Sequence, residues 1–122
     1  MTRINLVPPE ELHYKHLLAE YRELPRVFGL VQMAHTNRGG LPQGRPKVFT
    51  LGKGHVIFFY DKLAWLEERF DLIVAECLTR GFNIQHRSLP RIHVSPTYWN
   101  YWHPRPEDVA LSAARIKERM PA

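Results

Sequence analysis

One apolar stripe in this sequence runs straight through a proline, and it constrains the fold more than any other feature. Leu17, Tyr21, Leu24, Phe28 and Val31 recur at spacings of four, three, four and three. That period builds one face of a helix, with His16, Ala19, Arg22, Glu23 and Arg26 on the opposite side. Pro25 removes a backbone donor within the pattern. The stripe keeps its phase on both sides, so the reading is one kinked helix from about Pro9 to Ala34. A second stripe, Leu63, Leu66, Phe70, Ile73 and Cys77, is bounded by Asp61 as a cap and by Gly81 at the left-handed stop position. A third helix is expected near Pro106, with Glu107 and Asp108 in its first turn and Val109, Ala110, Ala113, Ile116 and Met120 inward. The connection from about His35 to Tyr60 is rich in Gly and Pro and carries Arg38, Arg45, Lys47 and Lys53. Loops of that length in a small domain are usually functional or disordered. Val56 to Phe59 reads as a candidate short strand, without a comparable partner run. The expectation is an all-α fold: a single compact domain over residues 1–122, with three main helices and long basic loops.

Composition narrows the class. A chain of 122 residues has room for one core. Seventeen Lys and Arg against twelve Asp and Glu leave a net charge of +5, with a pI near 9.7. That excess points to a polyanionic partner, most simply nucleic acid. The single cysteine, Cys77, excludes an intrachain disulfide framework and a cysteine-rich zinc module, and on its stripe it reads as packing. The seven histidines have no HExxH spacing and no cysteine pair beside them, so no metal site is expected. P-loop, dinucleotide-glycine and nucleophile-elbow patterns are likewise missing, and no cofactor is expected. With neither a membrane-length apolar run nor a signal core at the start, the expected location is the cytoplasm, associated with DNA, and the expected state is a monomer.

Three features carry chemistry. Arg22 and Arg26 stand four apart on one helical face, and Arg115 and Arg119 repeat the arrangement near the end of the chain. Like charges at that spacing repel on a free helix. One reading is a solvated face in which Glu23 pairs with Arg26; the other is a pair of phosphate clamps with a working carboxylate between two of the arginines. Tyr98, Trp99, Tyr101 and Trp102 place four aromatics in five residues. They suit stacking on unpaired bases, or packing over an open end of the core, which is expected of at least two of them. The third feature is the chain end. Thr2 becomes the first residue if Met1 is removed. An α-amine has a reference pKa of about 7.7–8.0, and Arg3, Arg22 and Arg26 would lower it by disfavouring another positive charge. A neutral amine can attack an electrophilic sugar carbon and form an imine.

Met1-Thr2-Arg3-Ile4-Asn5-Leu6, His16 and the run Ala19 to Gly29 resemble the phage-type pyrimidine-dimer DNA glycosylases with abasic-site lyase activity, the dimer-specific endonuclease V family. The similarity resumes at Leu51-Gly52, Gly54-His55-Val56 and Phe58 to Leu63, then at Ala75 to Leu78, Arg80 to Ile84, and Ser112, Ala114, Arg115 and Glu118. The resemblance implies a helical fold with the amino-terminal segment packed against the face that bears Glu23. It implies attack of the Thr2 α-amine on C1′ of the damaged nucleotide, with Glu23 stabilising the cationic sugar and then promoting loss of a C2′ proton. Arg3, His16, Arg22, Arg26, Arg115 and Arg119 match positions that lie on or near the DNA, and a base of the strand opposite the lesion is flipped out. The phage member carries an aromatic tail beyond its last helix, whereas here the aromatic cluster precedes that helix; Lys15 stands where the phage member has glutamine. Two other functions fit the residues themselves: a lyase acting on abasic sites or other damaged pyrimidines, and a non-catalytic basic module for double-stranded DNA.

Overall fold

The computed structural model describes residues 3–120 as helices and loops, with no strand among the described residues. Among the described residues there are four α-helices: α1 (Tyr14–Arg38), α2 (His55–Phe58), α3 (Leu63–Thr79) and α4 (Pro106–Glu118). Short 3₁₀ turns stand at Pro9–Glu11 and Pro96–Tyr98. The three long helices are those expected from the apolar stripes. No helix among the described residues is long and apolar enough to cross a membrane.

α1 starts later and runs further than its stripe suggested. Residues 9–11 form the separate 3₁₀ turn, and the helix proper begins after His13, whose Nδ1 accepts the Lys15 N–H at 3.1 Å. Pro25 lies inside the helix without ending it, and Gly39, at φ 73°, closes it. The buried face contains Leu17, Leu24, Phe28 and Val31 as expected, joined by Val27, Ala34 and the carboxylate residue Glu20.

The region read as a short strand is instead a single helical turn, α2. Gly54 precedes it at φ 88°, and a Cβ there would stand 2.7 Å from Pro46 Cγ. A glycine is required on both counts. The reversal feeds a turn, and the apolar run then packs by helical rather than alternating spacing. Asp61 does not cap α3: the cap position is Lys62, and the Asp61 carboxylate accepts from Lys62 Nζ at 2.9 Å, with Arg45 at 3.7 Å. Gly81 fills its predicted role at φ 80°, with Phe82 N–H donating to the Cys77 carbonyl at 3.0 Å.

The aromatic cluster divides in a definite way. Trp102 lies within 5.1 to 6.1 Å, ring centre to ring centre, of Phe58, Trp65, Phe59 and Phe49. Trp99 meets Phe28 at 5.9 Å, and Tyr98 meets His35 edge-on at 5.8 Å. These three rings pack, while Tyr101 stays 70% exposed. The inward set of α4 differs from expectation. Val109 and Ile116 are half-buried, but Ala110, Ala113 and Met120 are exposed, and the buried residues are the polar Asp108 and Ser112. Ser112 is turned inward by the Leu6 N–H it accepts, while Val109 and Ile116 pack against the core on either side of it. Asp108 also takes the Arg105 N–H at 2.9 Å and two guanidinium N–H groups of the same arginine, which secures the start of the helix.

α1 and α3 are joined through their centres by an ion pair. Arg69 of α3 grips Glu20 of α1 in a two-pronged contact, Nε to Oε2 at 2.8 Å and Nη2 to Oε1 at 2.9 Å. The two side chains are 5% and 0% exposed. Removing one partner leaves the other charged, buried and unpaired. Glu20→Gln is therefore expected to cost about 3–5 kcal/mol, read as a lower denaturant midpoint with an unchanged m-value. A double change, Glu20→Leu with Arg69→Met, should recover part of that loss.

Candidate active site

The segment from Ile4 to Val7 has no secondary structure of its own, so its polar groups need partners from elsewhere. Side chains of all four helices supply them. Ile4 N–H donates to His55 Nε2 of α2 at 2.9 Å. Asn5 Nδ2 donates to Glu20 Oε1 of α1 at 2.9 Å. Leu6 N–H donates to Ser112 Oγ of α4 at 2.9 Å. The Val7 carbonyl accepts from Arg69 Nη1 of α3 at 2.6 Å. Between these bonds the Ile4 and Leu6 side chains are buried in the core, at 0% and 8% exposure. The segment is thus fixed in register as well as in place.

A cleft of about 180 Å³ opens beside it, lined by Arg3, Asn5, His16, Ala19, Glu20, Glu23, Ile116 and Arg119. Glu20 is committed to Arg69, which leaves Glu23 as the carboxylate facing this space without that tie. Burial, followed by the positive charges of Arg115 and Arg119, pulls the Arg3 guanidinium below its ordinary pKa, and Glu23 opposes that shift. Arginine keeps its proton throughout the physiological range. The shift thus reflects burial first and, after it, the two neighbouring cations. His16 Nε2 donates to the Arg119 carbonyl at 3.1 Å, the only role compatible with a carbonyl partner. His16 Nδ1 and Arg115 Nε are buried without a hydrogen-bond partner among the described residues. Among those residues no group of three or more His, Cys, Asp or Glu side chains could hold a metal ion.

A second, larger cleft of about 530 Å³ lies across α1, lined by Tyr21, Arg22, Pro25, Phe70, His86, Ser88, Leu89 and Pro90. Tyr21 and Phe70 stack in its wall at 6.0 Å. The Tyr21 hydroxyl donates to the His86 carbonyl at 2.8 Å and accepts the His86 N–H at 2.9 Å, which ties the loop to the helix. Neighbouring residues on an α-helix diverge by about 100°. Arg22 and Glu23 accordingly look into different clefts.

Of the residues singled out from sequence, Arg3, His16, Glu23 and Arg119 line one cleft, and Arg115 stands close enough to Arg3 to act on it electrostatically. Arg22 belongs to the second cleft, and Arg26 is exposed. No ion pair joins Glu23 to Arg26 among the described residues, so that part of the solvated-face reading does not hold, while Arg22 and Arg26 are both exposed as it expected. Thr2 lies outside the described residues. Sequence reasoning missed Asn5, Glu20, His55, Arg69 and Ser112, which hold the segment. A usable signal existed for two of them. Glu20 and Arg69 fall in phase with the apolar stripes of their own helices, where a charge must find a buried partner.

A family model described as pyrimidine dimer DNA glycosylase matches residues 1–89 of the chain. The match takes in α1, α2, α3 and the segment they hold, and leaves α4 outside. α4 nonetheless helps to build the site: Ile116 and, just past the helix end, Arg119 line the cleft, and Ser112 holds Leu6. Ser112→Ala removes the acceptor of the Leu6 N–H and strands a buried donor, at a cost of about 1–3 kcal/mol. Denaturant unfolding measures that loss, and amide hydrogen exchange should quicken at Leu6 well before it does in the α1 core.

Proposed function

We propose that this chain, which belongs to the pyrimidine dimer DNA glycosylase family, excises cyclobutane pyrimidine dimers through an imine to its own amino terminus and then cuts the strand. Membership makes it a DNA-repair glycosylase that binds damaged DNA. The imine, the coupled lyase step and the residue roles are our reading. The observation that carries it is that Arg3, one peptide bond after Thr2, shares a small cleft with Glu23.

In this reading Met1 is removed and the Thr2 α-amine is the nucleophile. Arg3, Arg115 and Arg119 keep the local field positive, which favours the neutral, nucleophilic amine. The amine attacks C1′ of the damaged nucleotide; the C1′–N bond to the base breaks, and Glu23 stabilises the cationic sugar as it forms. Loss of the amine proton and opening of the sugar ring leave an imine at C1′. Glu23, within the same cleft, promotes removal of a C2′ proton. The electrons released form a C1′–C2′ enamine and then expel the 3′ oxygen with its phosphate, cutting the strand on the 3′ side. Hydrolysis of the imine restores the amine. The chemistry asks for no metal or organic cofactor.

The cleft volume fits this assignment. Pockets that enclose drug-sized ligands start at about 300 Å³, so 180 Å³ suits a sugar and not a whole nucleotide. The 530 Å³ cleft across α1 is large enough for a base. We assign to it the nucleotide flipped from the strand opposite the lesion, with Tyr21 and Phe70 offering a stacking wall and Arg22 a phosphate contact. Arg26, His16, Arg115 and Arg119 complete the contact with the DNA backbone.

Borohydride reduction during reaction with irradiated duplex tests the imine: one covalent adduct is expected, mapping to the peptide that begins at Thr2. An adduct on a lysine would overturn the assignment. Glu23→Gln should bind damaged duplex as the parent does and lose strand cleavage by about 100-fold or more. Unimpaired cutting by that variant removes Glu23 from the chemistry. Parallel assays on dimer and abasic duplexes decide whether the first step or only the second belongs to this protein.

A further inference from the structure

His55 takes no part in the chemistry above, yet it is 2% exposed and touches the segment that leads to the chain end. Its Nδ1 lies 2.8 Å from the Thr50 carbonyl. A carbonyl only accepts, so Nδ1 carries the proton. Nε2 is then a bare lone pair, and the Ile4 N–H points into it at 2.9 Å. The neutral imidazole with its proton on Nδ1 is the one form that satisfies both contacts. Phe49 and Phe59 hold the ring edge-on, each at 5.5 Å, so it cannot turn to trade partners without disturbing the core.

We propose that His55 is a positioning residue for the amino terminus: its Nε2 fixes the backbone two residues beyond Thr2 and thereby restrains the chain end on which the imine reading depends. This rests on the imine reading for its catalytic consequence, though not for the anchoring itself. A second proton on the ring would set two N–H groups against each other and release Ile4. The charged groups around the ring are Arg3 on the segment, Glu20 on α1 and Arg115 on α4. Burial lowers the His55 pKa below its ordinary 6.5; Arg3 and Arg115 act in the same sense, and the Thr50 hydrogen bond and Glu20 oppose them. A lowered folded-state pKa means that the unfolded or detached form takes the proton first. The anchoring is therefore fully present above the ordinary value and weakens as pH falls below it towards the folded value.

Hydrogen exchange at the Ile4 amide, followed between about pH 5 and pH 8, tests the anchor. In the parent protein the protection factor at Ile4 should fall on the acid side. His55→Gln can accept from Ile4 and donate to Thr50 without titrating, so its protection should stay level with pH. His55→Phe should lose protection by about tenfold or more at every pH. Should His55→Phe fail to fold, the parent pH series and His55→Gln still decide the matter. Parent-like acid loss in His55→Gln, or full protection at Ile4 in a folded His55→Phe, overturns the proposal. Single-turnover borohydride trapping on an abasic duplex reads the catalytic consequence. Adduct formation should slow about tenfold in His55→Phe with duplex affinity unchanged, and the acid limb should be shallower in His55→Gln than in the parent, because only protonation of the α-amine and of Glu23 then remains. An unchanged adduct rate in an unanchored variant overturns the positioning role. Absence of any adduct from the parent itself, with Ile4 still protected, refutes the imine reading and leaves the anchor standing.

Discussion

Glu20 and Arg69 are the pair on which the rest of this molecule turns. Burying two opposite charges gains little net stability, because desolvation offsets most of the attraction. What such a pair supplies is register. The Glu20 carboxylate accepts one further bond, from Asn5 Nδ2, and Arg69 donates one further, to the Val7 carbonyl. The contact that joins α1 to α3 thus also reads two residues of the amino-terminal segment. A shift of that segment by one residue would break both bonds together with those to His55 and Ser112.

The same division of labour explains the two glutamates of α1. Three residues separate them, so they stand on nearly the same side of the helix, yet Glu20 is neutralised by a two-pronged partner and Glu23 faces a cleft rimmed by Arg3 and Arg119. One carboxylate holds the scaffold and the other is left to the site. Arg3, Arg115 and Arg119 crowd that site with like charge, an arrangement that is unfavourable in isolation and makes sense opposite an anionic backbone.

The long helices were legible because their apolar residues keep a 3.6-residue period, even across Pro25. Val56 to Phe59 was not, since a run of four apolar residues has the same appearance in a strand and in a turn of helix. The facing of α4 was misread for a different reason. Its inner side carries Asp108 and Ser112 beside Val109 and Ile116, and a hydrophobic pattern cannot reveal that a polar residue is turned inward to meet a backbone N–H from another segment. Glu23, Arg3, His16 and Arg119 could be named from the sequence, but that Arg22 opens onto another cleft depends on how α1 is rotated against the loop at His86. The anchors escaped notice because each binds a partner at least 15 positions away, and local patterns say nothing about such pairs.

The Leu6 amide and the Ser112 hydroxyl are separated by 106 positions in the chain. Contacts of that span form late, after the shorter loops have closed. During synthesis the bond at Leu6 must therefore wait for α4, although those to Glu20, His55 and Arg69 have their partners earlier. A chain without α4 has the helices that the family model matches and three of the four anchors but an unfinished cleft, so completion of the site is held back until one distant helix docks.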